Sequence, residues 1–326
     1  MPRIFVTRGL VGSGLERLAQ HADVEIWPEA DPPTAEALRE HATGADGLLT
    51  TIADHIDATF LDATPSIKVV SQLAVGYDNI DVGAATERGV LVCNTPGVLT
   101  DATADLTFAL MLAHARRLFA GDRALRRGEW GEWSPVFMLS NDLHGKTLGI
   151  VGLGAIGYAV AERAKGFKMP LLYWSRSRKP DAEKALGIQW RDLDDLLRES
   201  DYVSINLALS EETRGLIDAR RIALMKRRGV IVNTARGPII DQDALQQALV
   251  EKRIGGAALD VFEHEPLPTD HPLLALDNVV VSPHVGSATY ETRTRMTDLA
   301  VDNLLAFFAG EHPPAPVNPE VLTGAP

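Results

Sequence analysis

The tightest constraint on the fold lies in mid-chain, where two short apolar runs, residues 147–151 (TLGIV) and 171–174 (LLYW), flank a glycine turn and a helix-length stretch. The turn reads GLGAIG, with Gly152, Gly154 and Gly157 at G-x-G-x-x-G spacing around Ala155 and Ile156. In a strand–turn–helix–strand unit each glycine has its own task. The first permits a sharp turn, the second lets a pyrophosphate approach the backbone, and the third lets helix and strand pack closely. The phosphates then lie at the positive end of the helix. A parallel, doubly wound sheet follows from such a unit, and with it a dinucleotide cofactor of the nicotinamide type.

The residues after the second run bear on which dinucleotide is held. An acid there accepts from both ribose hydroxyls and repels a 2′-phosphate, and none is present. Ser175, Arg176, Ser177 and Arg178 stand there instead. Hydroxyl donors and guanidinium forks suit a phosphate, so NADPH is expected ahead of NADH as a weaker alternative. A solvated basic loop is the plainer reading of the same four residues.

At 326 residues the chain is longer than a single core usually sustains, so two domains are expected. Apolar runs at 4–7, 24–27, 47–50, 69–73 and 90–93 read as one set of strands. Runs at 148–151, 171–174, 202–206, 230–233, 256–260 and 279–282 read as a second, with helix-sized segments between. Two Rossmann-like α/β domains with parallel sheets are expected: a substrate-binding, flavodoxin-like domain of residues 1–100 plus 290–326, and an NAD(P)-binding domain of 101–289. The helical pattern 101–117 would carry the chain across and 289–310 would bring it back. The active site is then expected in a cleft between the domains. A formal net charge of −12 argues against a general nucleic-acid or anionic-membrane surface. Cys93 is the only cysteine, so neither an intrachain disulfide nor a cysteine-based metal cluster is possible. Its apolar run marks it as a buried thiol, and with no cationic-apolar leader a cytoplasmic enzyme is expected.

Three segments place reactive side chains just past strand ends of the second set, where such sheets bind ligands. In NTARG, Arg236 offers a planar fork for a carboxylate. In DVFEHEP, Glu263 and Glu265 are chemically indistinguishable by sequence. In SPHVGSA, His284 follows the last strand directly.

Together with LAVGYDNID from Leu73, DLTFALMLAHARR, RRGEWGEWSP, HGKTLGIVGLGAIG and EPLPTDHPLLALDNVVVSPHVGSAT, these strings resemble the D-2-hydroxyacid dehydrogenases, and among them most closely the glyoxylate/hydroxypyruvate reductases. Residues 1–60 match only in overall pattern. The resemblance implies a catalytic set of Arg236, Glu265 and His284, with a small 2-keto acid as substrate and no metal. It further implies substrate contacts from Val75, Gly76 and Ser287, and cofactor contacts from Thr103, Thr213, Thr234, Asp260 and Gly286. It also implies a homodimer, with Trp130 and Trp133 in the segment that builds it. Asp241 and Asp243 read as helix caps. The chain departs from its relatives at Leu207–Ser210, where many carry a proline, and at Val75, where relatives that oxidise phosphite carry a lysine. Two alternatives share the fold: a reductase of bulkier keto acids such as 2-ketogluconate, and an NAD(P)-binding, corepressor-like regulator.

Overall fold

The computed structural model describes residues 1–323, which fall into two units: Met1–Leu99 with the segment from Ser287 onward, and Thr100–Gly286. Each unit is built on one wholly parallel sheet. In the first, β1 (Arg3–Val6), β2 (Asp23–Ile26), β3 (Gly47–Thr50), β4 (Val69–Gln72) and β5 (Leu91–Cys93) lie in the order β2-β1-β3-β4-β5. This is the flavodoxin-like order. β3, β4 and β5 are buried along their whole length, as strands covered on both faces must be. One face packs Phe5, Leu48, Val70 and Val92 against Leu38, Phe60, Ile80 and Ala85.

In the second unit, β6 (Leu148–Val151), β7 (Leu171–Trp174), β8 (Gln189–Trp190), β9 (Tyr202–Ile205), β10 (Val230–Asn233), β11 (Gly256–Leu259) and β12 (Val279–Val281) are ordered β12-β11-β10-β9-β6-β7-β8. The strand order reverses between β9 and β6. At that switch point two connections leave in opposite directions and open a crevice at the carboxyl ends of the strands. Two cores line the sheet. One is formed with helices Thr100–Ala115 and Ala155–Gly166, the other with Leu193–Glu199 and Gln242–Val250.

Helix starts follow local chemistry. Thr34, Asp57, Asp81, Asp218, Asp241 and Thr289 each accept a backbone amide at their helix's first turn. Two expectations need adjusting. The helix read over 101–117 spans Thr100–Ala115; Arg117 takes left-handed φ of 51°, and a separate helix, Leu118–Arg126, begins beyond it. The two-residue edge strand β8 carries no periodicity a sequence can show. Among the described residues no helix is long and apolar enough to cross a membrane.

Candidate active site

The glycine turn leaves β6 with Gly152 at φ +99°, a conformation that side chains resist. A Cβ there would meet the Asn206 carbonyl oxygen at 2.5 Å, and one on Gly157 would meet the Gly152 oxygen at 2.1 Å. By contrast a Cβ on Gly154 would touch nothing within 4 Å. Gly154 caps the helix Ala155–Gly166 without any side-chain hydrogen bond, which leaves the first-turn amides around Ala155 and Ile156 open. Tight on two sides and bare on the third, the turn fits a pyrophosphate.

At the end of β7 the four candidate residues part company. Arg178 is gripped by both oxygens of Glu183, at 3.1 and 2.7 Å, and Glu183 in turn accepts from Tyr173 Oη at 2.7 Å. Ser175 Oγ donates to the Ser177 carbonyl at 2.5 Å. Arg176 is exposed and makes no hydrogen bond or ion pair among the described residues. Its charge is still felt by Glu212, whose carboxyl is held below its usual range by the Ser210 hydroxyl first and by Arg176 among the lesser causes. Thr213 sits in the same loop after β9, donating to the Ala208 carbonyl at 2.8 Å.

The loops after β10, β11 and β12 converge. Asn233 Nδ2 donates to the Arg236 carbonyl at 2.9 Å and fixes the turn that carries this arginine. Gly237 then presses on the next loop so closely that a Cβ would lie 1.9 Å from the Phe262 carbonyl and 2.5 Å from the Glu263 nitrogen. In that loop the Phe262 amide donates to Glu265 Oε1 at 2.9 Å, while Glu265 Oε2 lies 2.6 Å from His284 Nδ1. Glu263 instead donates its amide to Gln242. The contact to His284 thus goes to Glu265, a choice sequence chemistry leaves open. Burial raises the Glu265 carboxyl, yet His284, the Phe262 amide and Arg236 together bring it below its ordinary value. An ionised carboxylate only accepts, so Nδ1 carries the hydrogen of this bond and Nε2 is the ring's remaining nitrogen.

His284 occupies φ +52°, and the loop that holds it there is organised by Asp260. This buried carboxylate accepts from Ser282 Oγ at 2.5 Å and from the amides of Val285 and Gly286, both at 2.9 Å. Burial nevertheless pushes its carboxyl up from the usual range. Thr103 comes within 3.5 Å of where a Gly286 Cβ would stand, and buried Thr107 shares a 2.8 Å hydrogen bond with Thr234 Oγ1. Sequence reasoning missed Thr107 and Gly237. The only signal for Gly237 was its place after Arg236.

Asp241 caps its helix through the Ala244 amide, whereas Asp243 sits in the first turn without capping. Val75, Gly76 and Ser287 belong to the first unit. Trp130 and Trp133, 57% and 81% exposed, lie in a stretch that also exposes Leu118, Phe119, Leu125, Val136, Phe137 and Leu139. Among the described residues no group of three or more His, Cys, Asp or Glu could hold a metal ion.

Comparison with known proteins is consistent with this geometry. Residues 108–286 match the family model described as D-isomer specific 2-hydroxyacid dehydrogenase, NAD binding domain. The chain is 49% identical to the glyoxylate reductase of Korarchaeum cryptofilum over 98% of this chain and 97% of that protein. It is 52% identical to that of Aeropyrum pernix over the same shares. Among solved structures, a Sinorhizobium meliloti NADPH-dependent glyoxylate/hydroxypyruvate reductase, in complex with NADP and malonate, aligns with a TM-score of 0.84 at 34% identity, covering 97% of this chain and 96% of that one.

Proposed function

This chain belongs to the D-isomer-specific 2-hydroxyacid dehydrogenase family and is an NAD(P)-dependent oxidoreductase; from that premise we propose that it reduces glyoxylate and hydroxypyruvate to glycolate and D-glycerate, preferring NADPH. The observation that carries the reading is the 2.6 Å contact between His284 and an ionised Glu265, on a loop wedged against the turn of Arg236.

The nicotinamide cofactor, when bound, supplies the hydride. Gly152–Gly157 would hold its pyrophosphate, and Ser175, Arg176 and Ser177 the 2′-phosphate. Thr103, Thr213, Thr234, Asp260 and Gly286 would line the rest of its path. Arg236 holds the substrate carboxylate and draws charge toward the carbonyl oxygen, combining orientation with electrostatic stabilisation. His284 gives its Nε2 proton to that oxygen as negative charge develops. Glu265 fixes the ring's orientation and tautomer through Nδ1. The amides of Val75 and Gly76 and the hydroxyl of Ser287 complete the proposed substrate contacts. The NADPH preference is supported by the phosphate-compatible end of β7 and by the cofactor named for the Sinorhizobium relative.

We also propose that the protein is a homodimer. Eight large apolar side chains exposed between Leu118 and Leu139 exceed what a soluble monomer usually presents in one place, and a second copy would cover them. One panel of 2-keto acids, assayed with NADPH and with NADH, tests the main reading. Turnover highest on glyoxylate and hydroxypyruvate with NADPH is expected. Turnover confined to bulkier keto acids, or none at all, would reject it.

A further inference from the structure

The loop that follows β4 in the first unit carries Val75 and Gly76, and neither of their amides donates to any described residue. The direction of these amides follows from the carbonyls beside them. The Ala74 carbonyl accepts from the Thr95 amide at 2.8 Å, and the Val75 carbonyl accepts from Asn94 Nδ2 at 2.8 Å. Two successive carbonyls thus point at one segment, the chain that leaves β5. Both peptides are trans, and in a planar trans peptide the N–H points opposite to the C=O. The Val75 and Gly76 amides therefore face together away from Asn94 and Thr95. Adjacent amides turned to one side form a concavity that suits an anion.

The two carbonyl contacts differ in kind. Thr95 donates from its backbone, which every residue but proline can do, whereas Asn94 donates from its side chain. Several bonds aim that side chain. Asn94 is buried; its amide donates to the Ala315 carbonyl at 3.1 Å, and its carbonyl accepts from Asn303 Nδ2 at 3.1 Å. Asn303, fully buried on the helix Tyr290–Phe308, closes the set by accepting the Ala315 amide on its Oδ1 at 3.0 Å. The ends of the loop are tied separately. Gln72 Nε2 donates to Asn79 Oδ1 at 2.8 Å, and Asn79 Nδ2 donates to the Thr51 and Asp54 carbonyls at 3.1 and 2.6 Å. Between those ends, the peptide that bears the Gly76 amide is set by one side chain, that of Asn94.

We infer that Asn94 is a positioning residue, which holds the Val75 carbonyl and so aims the Gly76 amide, beside that of Val75, at the substrate carboxylate. This rests on the reductase reading and deepens it. Asn94 acts through Val75 on a group that does not react, so its loss weakens ground-state and transition-state binding alike. The signature is a raised KM with kcat preserved.

The probe is oxalate, a non-reducible dianion of similar size to glyoxylate, titrated by calorimetry into protein saturated with NADP⁺. Asn94→Leu keeps the branching of the side chain but donates nothing to Val75. Oxalate affinity should fall by about 10-fold, the lower end of the range for a hydrogen bond to a charged group. KM for glyoxylate should rise by about the same factor, with kcat within about threefold and KM for NADPH unchanged. Leu38→Ala is the control for general loosening: it opens the core of the same unit and removes no hydrogen bond of the loop. It should lower the melting temperature and leave oxalate affinity unchanged. Undiminished oxalate affinity in Asn94→Leu, a fall in kcat with KM preserved, or an equal loss of affinity in Leu38→Ala would overturn the assignment. Should the leucine variant not fold, Asn94→Ser, one atom too short to reach the Val75 carbonyl, is measured in the same way with the same expectation. Oxalate binding that depends on Asn94 in a protein reducing no keto acid would defeat the reductase reading and leave the amide cradle standing. Turnover of glyoxylate with affinity independent of Asn94 would do the reverse.

Discussion

Replacing Gly237 with alanine tests how the reactive loops are held together, without touching any group proposed to act on substrate. A Cβ at this position would lie 1.9 Å from both the carbon and the oxygen of the Phe262 carbonyl, whereas ordinary contact begins at 3.4 Å. The Arg236 turn or the 262–265 loop must therefore retreat by about 1.5 Å, and neither contact is with a side chain that could swing aside. Misplacement of catalytic groups by about 1 Å costs on the order of 10²-fold in rate. A loss of about 100-fold in kcat/KM for glyoxylate is expected. Overpacking at a buried site costs about 1–3 kcal/mol, so a lowered melting temperature should accompany it. Cofactor binding, followed by quenching of tryptophan fluorescence, should change little, since the glycine turn after β6 is untouched. Gly166→Ala is the control: its Cβ meets nothing within 4 Å, and activity should match the unmodified protein. If Gly237→Ala kept kcat/KM within threefold, the claim that this contact sets the site's geometry would be wrong.

Four further outcomes are expected. His284→Ala should lower kcat by about 10² to 10⁴ while NADPH still binds, measured by steady-state kinetics and fluorescence titration; a loss of only a few-fold would remove the histidine from the acid role. Glu265→Gln should lower kcat for keto-acid reduction while NADPH still binds, because the His284 ring loses the carboxylate that orients it; an unchanged kcat would count against the pairing. The folded Glu265 carboxyl titrates below its ordinary value, so the contribution of this pair to stability is present above about pH 4.5 and is lost as pH falls further. Arg176→Ala should raise KM for NADPH by about 10-fold or more and leave that for NADH nearly unchanged, as a charge-assisted bond to phosphate is worth about 1.5–3 kcal/mol; equal weakening of both would sink the phosphate assignment. Cys93, buried and with its thiol pushed up to about 12, should resist iodoacetamide at pH 8 in the native protein and react on denaturation, as read by mass spectrometry.

Much of the architecture is legible in the chain because buried parallel strands announce themselves. Val230–Asn233 and Leu148–Val151 are short apolar runs bounded by polar or glycine residues, and their bounds coincide with those read from sequence. Elsewhere the apolar run and the hydrogen-bonded ladder end at different places: Leu73 and Asp260 continue the run but lie one residue past β4 and β11. The break at Arg117 is illegible for a different reason. Arginine favours helix, and neither a glycine nor a proline marks the left-handed φ it takes there.

The site divides along the same line. Glycines of a phosphate turn and reactive side chains past strand ends are visible because their chemistry is local and their spacing is short. What positions them is not local. Asp260 reads as an ordinary strand-end acid, yet it secures the His284 loop through three hydrogen bonds to residues 22 to 26 positions away. Gly237 matters only because residue 262 arrives against it, which sequence order does not disclose. Partnership is a property of three-dimensional neighbours, and for that reason the residues most in need of testing are those whose surroundings leave a charge or a contact unexplained.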